Sequence, residues 1–482
     1  MPTPAAHPLP APAKNWPDSL AQLARLAADT SFHAAPPEVA ERLVELVVDT
    51  LAVTSWGSRR PELLALRDVV TRDGAHGLAT VFGDVVPRPS SMSCTLNGSA
   101  AAADQLQDGH RMARGHPAAH VVLPVLALAE EVDATTEQFL SAVLSGYELG
   151  ARIGLAMHGT PPGVHDIGTW GSIAAAAGTA RLLAPHDADA MRRAIELAAS
   201  AALLTDATTI FTGHTGGHAY LGASVAHGLW LGQAAVAGLE AAPGALERFF
   251  AVHAAHEWRG MPDVVDSDEG GWPSYEVLQG YIKLHPACAH LHGVLDALDD
   301  AVALLDEQGT VQPLAPRVQR VEVRTYAAAA TFVASARNEL QARFSIPAVV
   351  ALVLAHGGLT DAALTDVALR SPAIRDLAAR VDVVVDAELD SGYPHGRPTT
   401  VTLLLDDGSS VTSTSLRPRG DADADASRIA IQDKAARLLT AAFGPRADEL
   451  VDVIAQWPSR HTPRELGAAF RVAAGAPRGA RR

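Results

Sequence analysis

Residues 104–117 read DQLQDGHRMARGHP, a run that holds two carboxylates, two histidines and two arginines immediately before an apolar segment. Histidine and tuned carboxylates are the groups that move protons near neutral pH. Arginine holds carboxylates through paired hydrogen bonds. Acid, base and anion clamps therefore fall within one span that a loop can fold onto one site, with Asp108, His110 and His116 as proton carriers and Arg111 and Arg114 as clamps. The competing reading is a solvated loop.

Two further clusters carry polar chemistry. Residues 163–171 (GVHDIGTWG) place His165 just before an Ala/Gly-rich segment, where small residues let a ligand approach a helix start that attracts anions. Residues 283–292 (KLHPACAHLH) put Lys283 beside three histidines, in a chain with only Lys14, Lys283 and Lys434 as lysines. A lysine this rare is poor filler; it supplies a point charge or a titratable amine. His285, His290 and His292, or His214 and His218, have ligand-like spacing, but no acidic or cysteine neighbour in sequence completes a zinc motif. With 20 histidines in the chain, chance pairs are expected, so no metal is expected. GHTGG at 213–217 matches no phosphate loop.

The elements that must position these groups follow from pattern. The 482 residues suffice for two domains, and a 48% hydrophobic content with only 5% aromatics favours close-packed helices. Segment 41–54 places Leu43, Leu46, Val47 and Leu51 on one helical face. Helical patterns continue at 121–131, with Pro124 in the first turn, and at 137–157, 171–183, 194–204 and 221–239. The Ala/Gly content of 171–183 suits a helix crossed closely by neighbours. After Trp272 the texture changes: 317–326, 381–388 and 400–405 alternate as strands, and Asp406-Asp407-Gly408 joins the last to 411–415 as a hairpin. Helices are expected at 294–305 and 347–355, and again at 427–443 and 463–474. The expected fold is mainly α: a large all-helical domain built from both chain ends (18–272 and 418–482) with an inserted α+β lid domain (273–417). Residues 1–17 read as a disordered tail, and 478–482 as a frayed end.

A formal charge of −16, from 38 basic and 54 acidic residues, opposes binding to nucleic acid and anionic membranes. An anionic substrate would need a local basic pocket. Two cysteines, Cys94 and Cys288, are too few for a disulfide framework, and the N-terminus lacks a signal-peptide core, so a reducing cytoplasm is expected.

Taken together, NGSAA at 97–101, His116-Pro-Ala with the following Val-Leu-Pro, GYELGARIG at 146–154, residues 165–171, residues 283–292 and FSIP at 344–347 resemble the MmgE/PrpD family over about 43–443. That family includes 2-methylcitrate dehydratase, cis-aconitate decarboxylase and iminodisuccinate epimerase. The resemblance implies a helical domain plus an α+β lid, usually in a homodimer. It also implies deprotonation next to a carboxylate of a small acid without a metal or cofactor. Asp108, His110 and His116 match the family loop, His165 a second active-site histidine and Lys283 the lid lysine. Where lyase members read like Asp-Phe-Asp-Asp-Thr-His, this chain has Gln105-Leu-Gln-Asp108-Gly-His110. The lysine that the decarboxylase uses falls near Gly217 and His218 here, and its second lid histidine falls at Cys288. These departures speak against decarboxylation of cis-aconitate and weaken a 2-methylcitrate assignment.

The expectation is thus a dehydratase-type hydro-lyase acting on a di- or tricarboxylic acid, with an epimerase of the iminodisuccinate type as the alternative and a cis-aconitate-type decarboxylase after it. His116, His165, Asp108, Lys283 and His110 are the catalytic candidates. Arg111, Arg114, His285 and Tyr220 are the substrate-binding ones. A metal-dependent hydrolase and a non-catalytic helical scaffold are the readings outside the family.

Overall fold

The computed structural model describes residues 16–254, 271–307, 314–360, 363–422 and 428–475. The expectations for residues 1–15 and 478–482 lie outside these ranges, but the helix that begins at Trp16 already overlaps the expected tail.

The fold is mainly α. The first half contains α1 (Trp16–Asp29), α2 (Pro37–Gly57), α3 (Pro61–Val70), α4 (Ser90–Ala102), α5 (Pro117–Val132), α6 (Thr136–Met157), α7 (Trp170–Leu183), α8 (Ala188–Ser200), α9 (Ala207–Phe211), α10 (Gly216–Val236) and α11 (Ala245–His253). Leu43, Leu46, Val47 and Leu51 are all fully buried on α2, as their spacing requires. α7 owes its composition to its neighbours. A methyl group on Gly146 of α6 would meet the Ala174 carbonyl at 2.8 Å, and one on Gly228 of α10 would meet the Ala175 Cβ at 2.4 Å. Small residues on three helices thus let backbones touch, and this tight packing fixes where the N-terminus of α7 lies.

α5 begins four residues earlier than its apolar pattern suggested. Pro117 takes the first helical position, where its missing N–H costs nothing. Pro124 is consequently interior and leaves the His120 carbonyl without its usual i+4 donor. The helix therefore starts at the residue following His116.

Three helices near the C-terminus, Arg428–Phe443, Ala447–Gln456 and Pro463–Ala474, contribute Ile431, Leu438, Leu450, Leu466 and Phe470 to the same hydrophobic core as the first half. A second core is built from residues 287–411. There α12 (His292–Glu307) and the helix Ile346–His356 cover a four-stranded sheet.

Four short strands belong to the first half and its junction with the second core: β1 (Gly109–His110), β2 (Val164–His165), β3 (Thr205–Asp206) and β4 (Gly280–Tyr281). The main sheet contains β5 (Val318–Thr325), β6 (Val381–Val385), β7 (Thr399–Leu405) and β8 (Ser410–Ser415) in the order β6-β5-β7-β8. β7 and β8 form the expected hairpin, with Leu404 opposite Ser410 and Gly408 in the left-handed region at φ 83°. β6 is shorter than the alternation predicted. Asp386 accepts from the Glu388 and Leu389 amides and starts a helical turn instead of extending the strand.

Candidate active site

The two-residue strands bring the candidate groups together. β1 pairs antiparallel with β4, Gly109 opposite Tyr281, so the 104–117 loop lies beside the segment that leads into Lys283. Only glycine fits at 109, because a Cβ there would stand 2.2 Å from the Tyr281 ring. β2 pairs with β3, His165 opposite Thr205, and presents His165 and Asp166 just ahead of α7. Gly115 completes the approach: a Cβ there would lie 2.3 Å from Trp170 and 3.2 Å from Asp166 Oδ2.

Arg343, fully buried, ties the loop to the second core. Its guanidinium donates to the Asp104 carbonyl, to Asp104 Oδ1 and to the Pro286 carbonyl, each at 3.0 Å. Arg60 pairs with the same Asp104. The GYELGARIG segment serves the same junction from α6. Glu148 accepts from the Glu276 and Val277 amides at 2.9 Å, and Arg152 donates to the Ser274 carbonyl while lying over the Trp272 ring.

Within this frame the histidines differ. His116 is 9% exposed, and its Nδ1 lies 2.5 Å from the Asp108 carbonyl. A carbonyl only accepts, so Nδ1 carries the proton and Nε2 is left as the basic nitrogen. Burial pushes the imidazole down to about 3, opposed by Asp166, so His116 is neutral over the physiological range. Its Nε2 stands 3.9 Å from Asp166 Oδ2. His165 shows the opposite pattern. Its Nδ1 receives the Ile167 amide at 3.2 Å, which puts the proton on Nε2. The Asp166 carboxylate also lies 3.1 Å from that Nδ1, but only the Ile167 contact has hydrogen-bond geometry. Burial alone would raise Asp166; His165, His116 and His120 hold it below the usual carboxylate range.

Lys283 is 1% exposed and makes no hydrogen bond or ion pair among the described residues. Burial lowers its amine to about 8, with Arg397 acting in the same direction and Cys288, Asp166 and Asp108 opposing. Its charge in turn acts on His116 and on His290. His290 bonds through Nδ1 to the Tyr326 hydroxyl at 2.7 Å and stacks on Phe332. Phe332 touches Phe211, and Phe211 touches His165. A chain of rings therefore spans the junction from β2 to the second core. Arg397 lies over the Tyr281 ring and stands 3.7 Å from Asp421.

The remaining candidates are held elsewhere. Both oxygens of Asp108 accept the amides of Ala118 and Ala119 at 2.9 Å, so this carboxylate caps α5 and its carbonyl orients His116. Burial pushes Asp108 up to about 7 against those two bonds. Each oxygen of this alternative acid thus already accepts one amide of α5. His110 accepts the Ala113 amide at Nδ1 and reaches Glu276 through Nε2 at 3.1 Å, so both nitrogens are engaged in fixing the loop. Arg111 donates to Asp421 at 2.6 Å.

Arg114, at φ 52°, is exposed and unpaired among the described residues, and its charge is felt at His290. His285 turns away to Asp296, at 2.9 Å. With Asp299 these two place ligand-type atoms within 4.8 Å of one another, an acidic partnership invisible in local sequence. Arg419 already stands 3.9 Å from Asp296 and 3.6 Å from Asp299. Tyr220 packs half-buried on the helical core, and no hydrogen bond or ring contact joins it to His116, His165 or Lys283 among the described residues. His218 faces Glu62 at 3.4 Å.

Sequence reasoning missed Asp166, Arg343 and Arg397. The position of Asp166 next to His165 could have flagged it. The two arginines reach the site only through tertiary structure.

Comparison with known proteins identifies the family. Residues 21–258 match the MmgE/PrpD N-terminal domain and residues 285–458 the MmgE/PrpD C-terminal domain. The cis-aconitate decarboxylase-like protein oryM of Aspergillus oryzae is 32% identical over 167 residues, a stretch covering 32% of this chain and 34% of that protein. The chain thus spans about a third of the length of that curated relative. With both domain signatures present in order along one chain, the protein belongs to the MmgE/PrpD family.

Proposed function

We propose that this protein removes a proton from the carbon next to a carboxylate of a small di- or tricarboxylic acid and then expels water, as a hydro-lyase of the type of 2-methylcitrate dehydratase. The observation that carries the reading is the pair formed by His116 and Lys283. One is a buried neutral imidazole with a basic Nε2, the other a buried ammonium without a partner among the described residues. A neutral imidazole is the form that accepts a proton, and an unpaired buried cation is costly unless an anion joins it.

In this reading His116 Nε2 takes the proton from carbon. The electron pair moves onto the adjacent carboxylate as an enediolate, whose growing charge Lys283 stabilises. The pair then forms the carbon–carbon double bond as the β-hydroxyl leaves with the proton that His116 Nε2 took up, guided by a hydrogen bond from His165 Nε2–H, so that water is the second product and both imidazoles end neutral. Arg114 adds positive charge near the mouth of the site, and residues 273–417 act as the lid that brings Lys283 over the loop. The balance is met by side chains alone, and we place the enzyme in the cytoplasm as a homodimer. Epimerisation is the second reading: His116 and His165 on either side of Asp166 could remove and return a proton on opposite faces.

The test is incubation of the full chain in deuterated water with citrate-, aconitate- and iminodisuccinate-type acids, followed by NMR. Deuterium entering next to a carboxylate with formation of an alkene supports the hydro-lyase. Exchange with inversion and no alkene supports the epimerase. Absence of exchange with every acid defeats both.

A further inference from the structure

Lys434 is buried on the C-terminal helix Arg428–Phe443, far in sequence from the loop 104–117. Its Nζ lies 2.6 Å from Asp49 Oδ1 on α2 and donates to the Leu106 carbonyl at 3.0 Å. Leu106 follows Gln105, which holds a left-handed φ of 55°, a conformation that non-glycine residues keep only when their surroundings enforce it. Two residues further on, the Asp108 carbonyl fixes the proton on His116 Nδ1 and the Asp108 carboxylate caps α5. The other ties on this strained turn act one step upstream, at Asp104, through Arg60 and Arg343. Lys434 is the side-chain donor placed between them and Asp108. Neutralising Asp49 is its second effect, because that carboxylate acts electrostatically on Asp108.

We propose that Lys434 is a positioning residue for the base: by holding Asp49 and the Leu106 carbonyl together it keeps the turn at Gln105, and with it the orientation of Asp108 and the tautomer of His116. The kinetic part of this inference rests on the role of His116 given above, whereas the structural part does not. An aliphatic contact would be enough if the helix Arg428–Phe443 only had to cover the core; a buried ammonium with an ion pair and a carbonyl acceptor is not needed for that.

The test uses the full chain carrying Lys434→Met, and Asp49→Asn combined with Lys434→Met. The double variant removes both charges, so it stays folded if the single variant leaves Asp49 unpaired and unfolds; thermal melts check this. Two readings are taken on the folded variant. The first is kcat and KM for deuterium exchange: kcat falls about 10- to 100-fold while KM stays within about threefold, as for a displaced catalytic group. The second is the imidazole ¹⁵N spectrum of His116, assigned by its loss in His116→Ala. The wild type shows Nδ1 protonated, and the double variant shows a mixture of tautomers. A folded double variant with an unchanged His116 spectrum overturns the proposal, whatever happens to kcat. If no acid supports exchange in the wild type, the catalytic reading fails while the histidine spectrum still decides the positioning.

Discussion

The loop 104–117 and the segment 283–292 are the two most polar stretches near the site, and they use their polar groups in the same lopsided way. In the loop, Asp108 is held by α5, His110 by Glu276 and Ala113, and Arg111 by Asp421, which leaves His116 Nε2 directed at Asp166. In the second segment His285 is held by Asp296 and His292 by the Ala287 carbonyl, and Lys283 has no partner among the described residues. Among the described residues each stretch thus surrounds one available buried titratable group with several engaged ones; Arg114 of the loop is also unpaired but exposed, and Gln107 is unpaired but does not titrate. The engaged groups fix the backbone, and the contrast between engaged and available, more than polarity itself, marks where chemistry can occur.

The largest effects are expected at the two available groups. His116→Ala should lower exchange at least about 10³-fold, near the upper range for loss of a general base. Lys283→Met should cost about 10²–10³-fold, as for loss of one oxyanion donor, and should also weaken binding of the acid. Deuterium exchange and ligand titration measure both. If His110→Ala matched His116→Ala in a folded protein, the division between the two kinds of histidine would be wrong.

Asp108→Asn should produce an intermediate result. The amide can still accept one of the two α5 amides, so stability should fall by about 1 kcal/mol in urea melts. The rate should fall about tenfold through misplacement of His116, far less than for loss of the base itself. A 10³-fold rate loss without loss of stability would return Asp108 to the role of acid. By the same logic, His110→Ala should cost about 1–2 kcal/mol of stability for leaving Glu276 and Ala113 unpaired, with a rate change under about threefold.

Much of this architecture was legible in the sequence. Leu43, Leu46, Val47 and Leu51 announced α2 because a period of 3.6 residues depends on local spacing alone. The hairpin at Asp406–Gly408 was legible for the same reason. His116, His165 and Lys283 stood out by residue type and neighbourhood. What local sequence could not convey was hydrogen-bond occupancy. That Asp108 and His110 are tied into the loop by hydrogen bonds shows only once α5 starts at Pro117 and β1 meets β4. Asp104, Arg343 and Lys434 look like surface charges until 239 residues separate one buried pair and 328 the other tie. Asp299 reaches His285 because α12 winds Asp296 and Asp299 onto one face, which the search for a nearby ligand could not see.

The smallest predicted effect concerns acid stability, and it tests the available histidine by titration. Burial places His116 and His290 at about 3 in the folded state, against 6.5 as the ordinary value. Between pH 6.5 and 3 the unfolded chain therefore binds protons that the folded chain refuses, so stability falls as pH is lowered through that window. By pH 5 each histidine should account for about 1–2 kcal/mol of the loss. His116→Asn should remove its share, giving a shallower decline in urea melts between pH 7 and 5 even though the variant is inactive. His110→Ala serves as the control for a general loss of stability, because both ring nitrogens of His110 only fix the loop, at Ala113 and Glu276. A decline in His116→Asn as steep as in the wild type would mean that His116 is not the desolvated, neutral base on which the contrast depends.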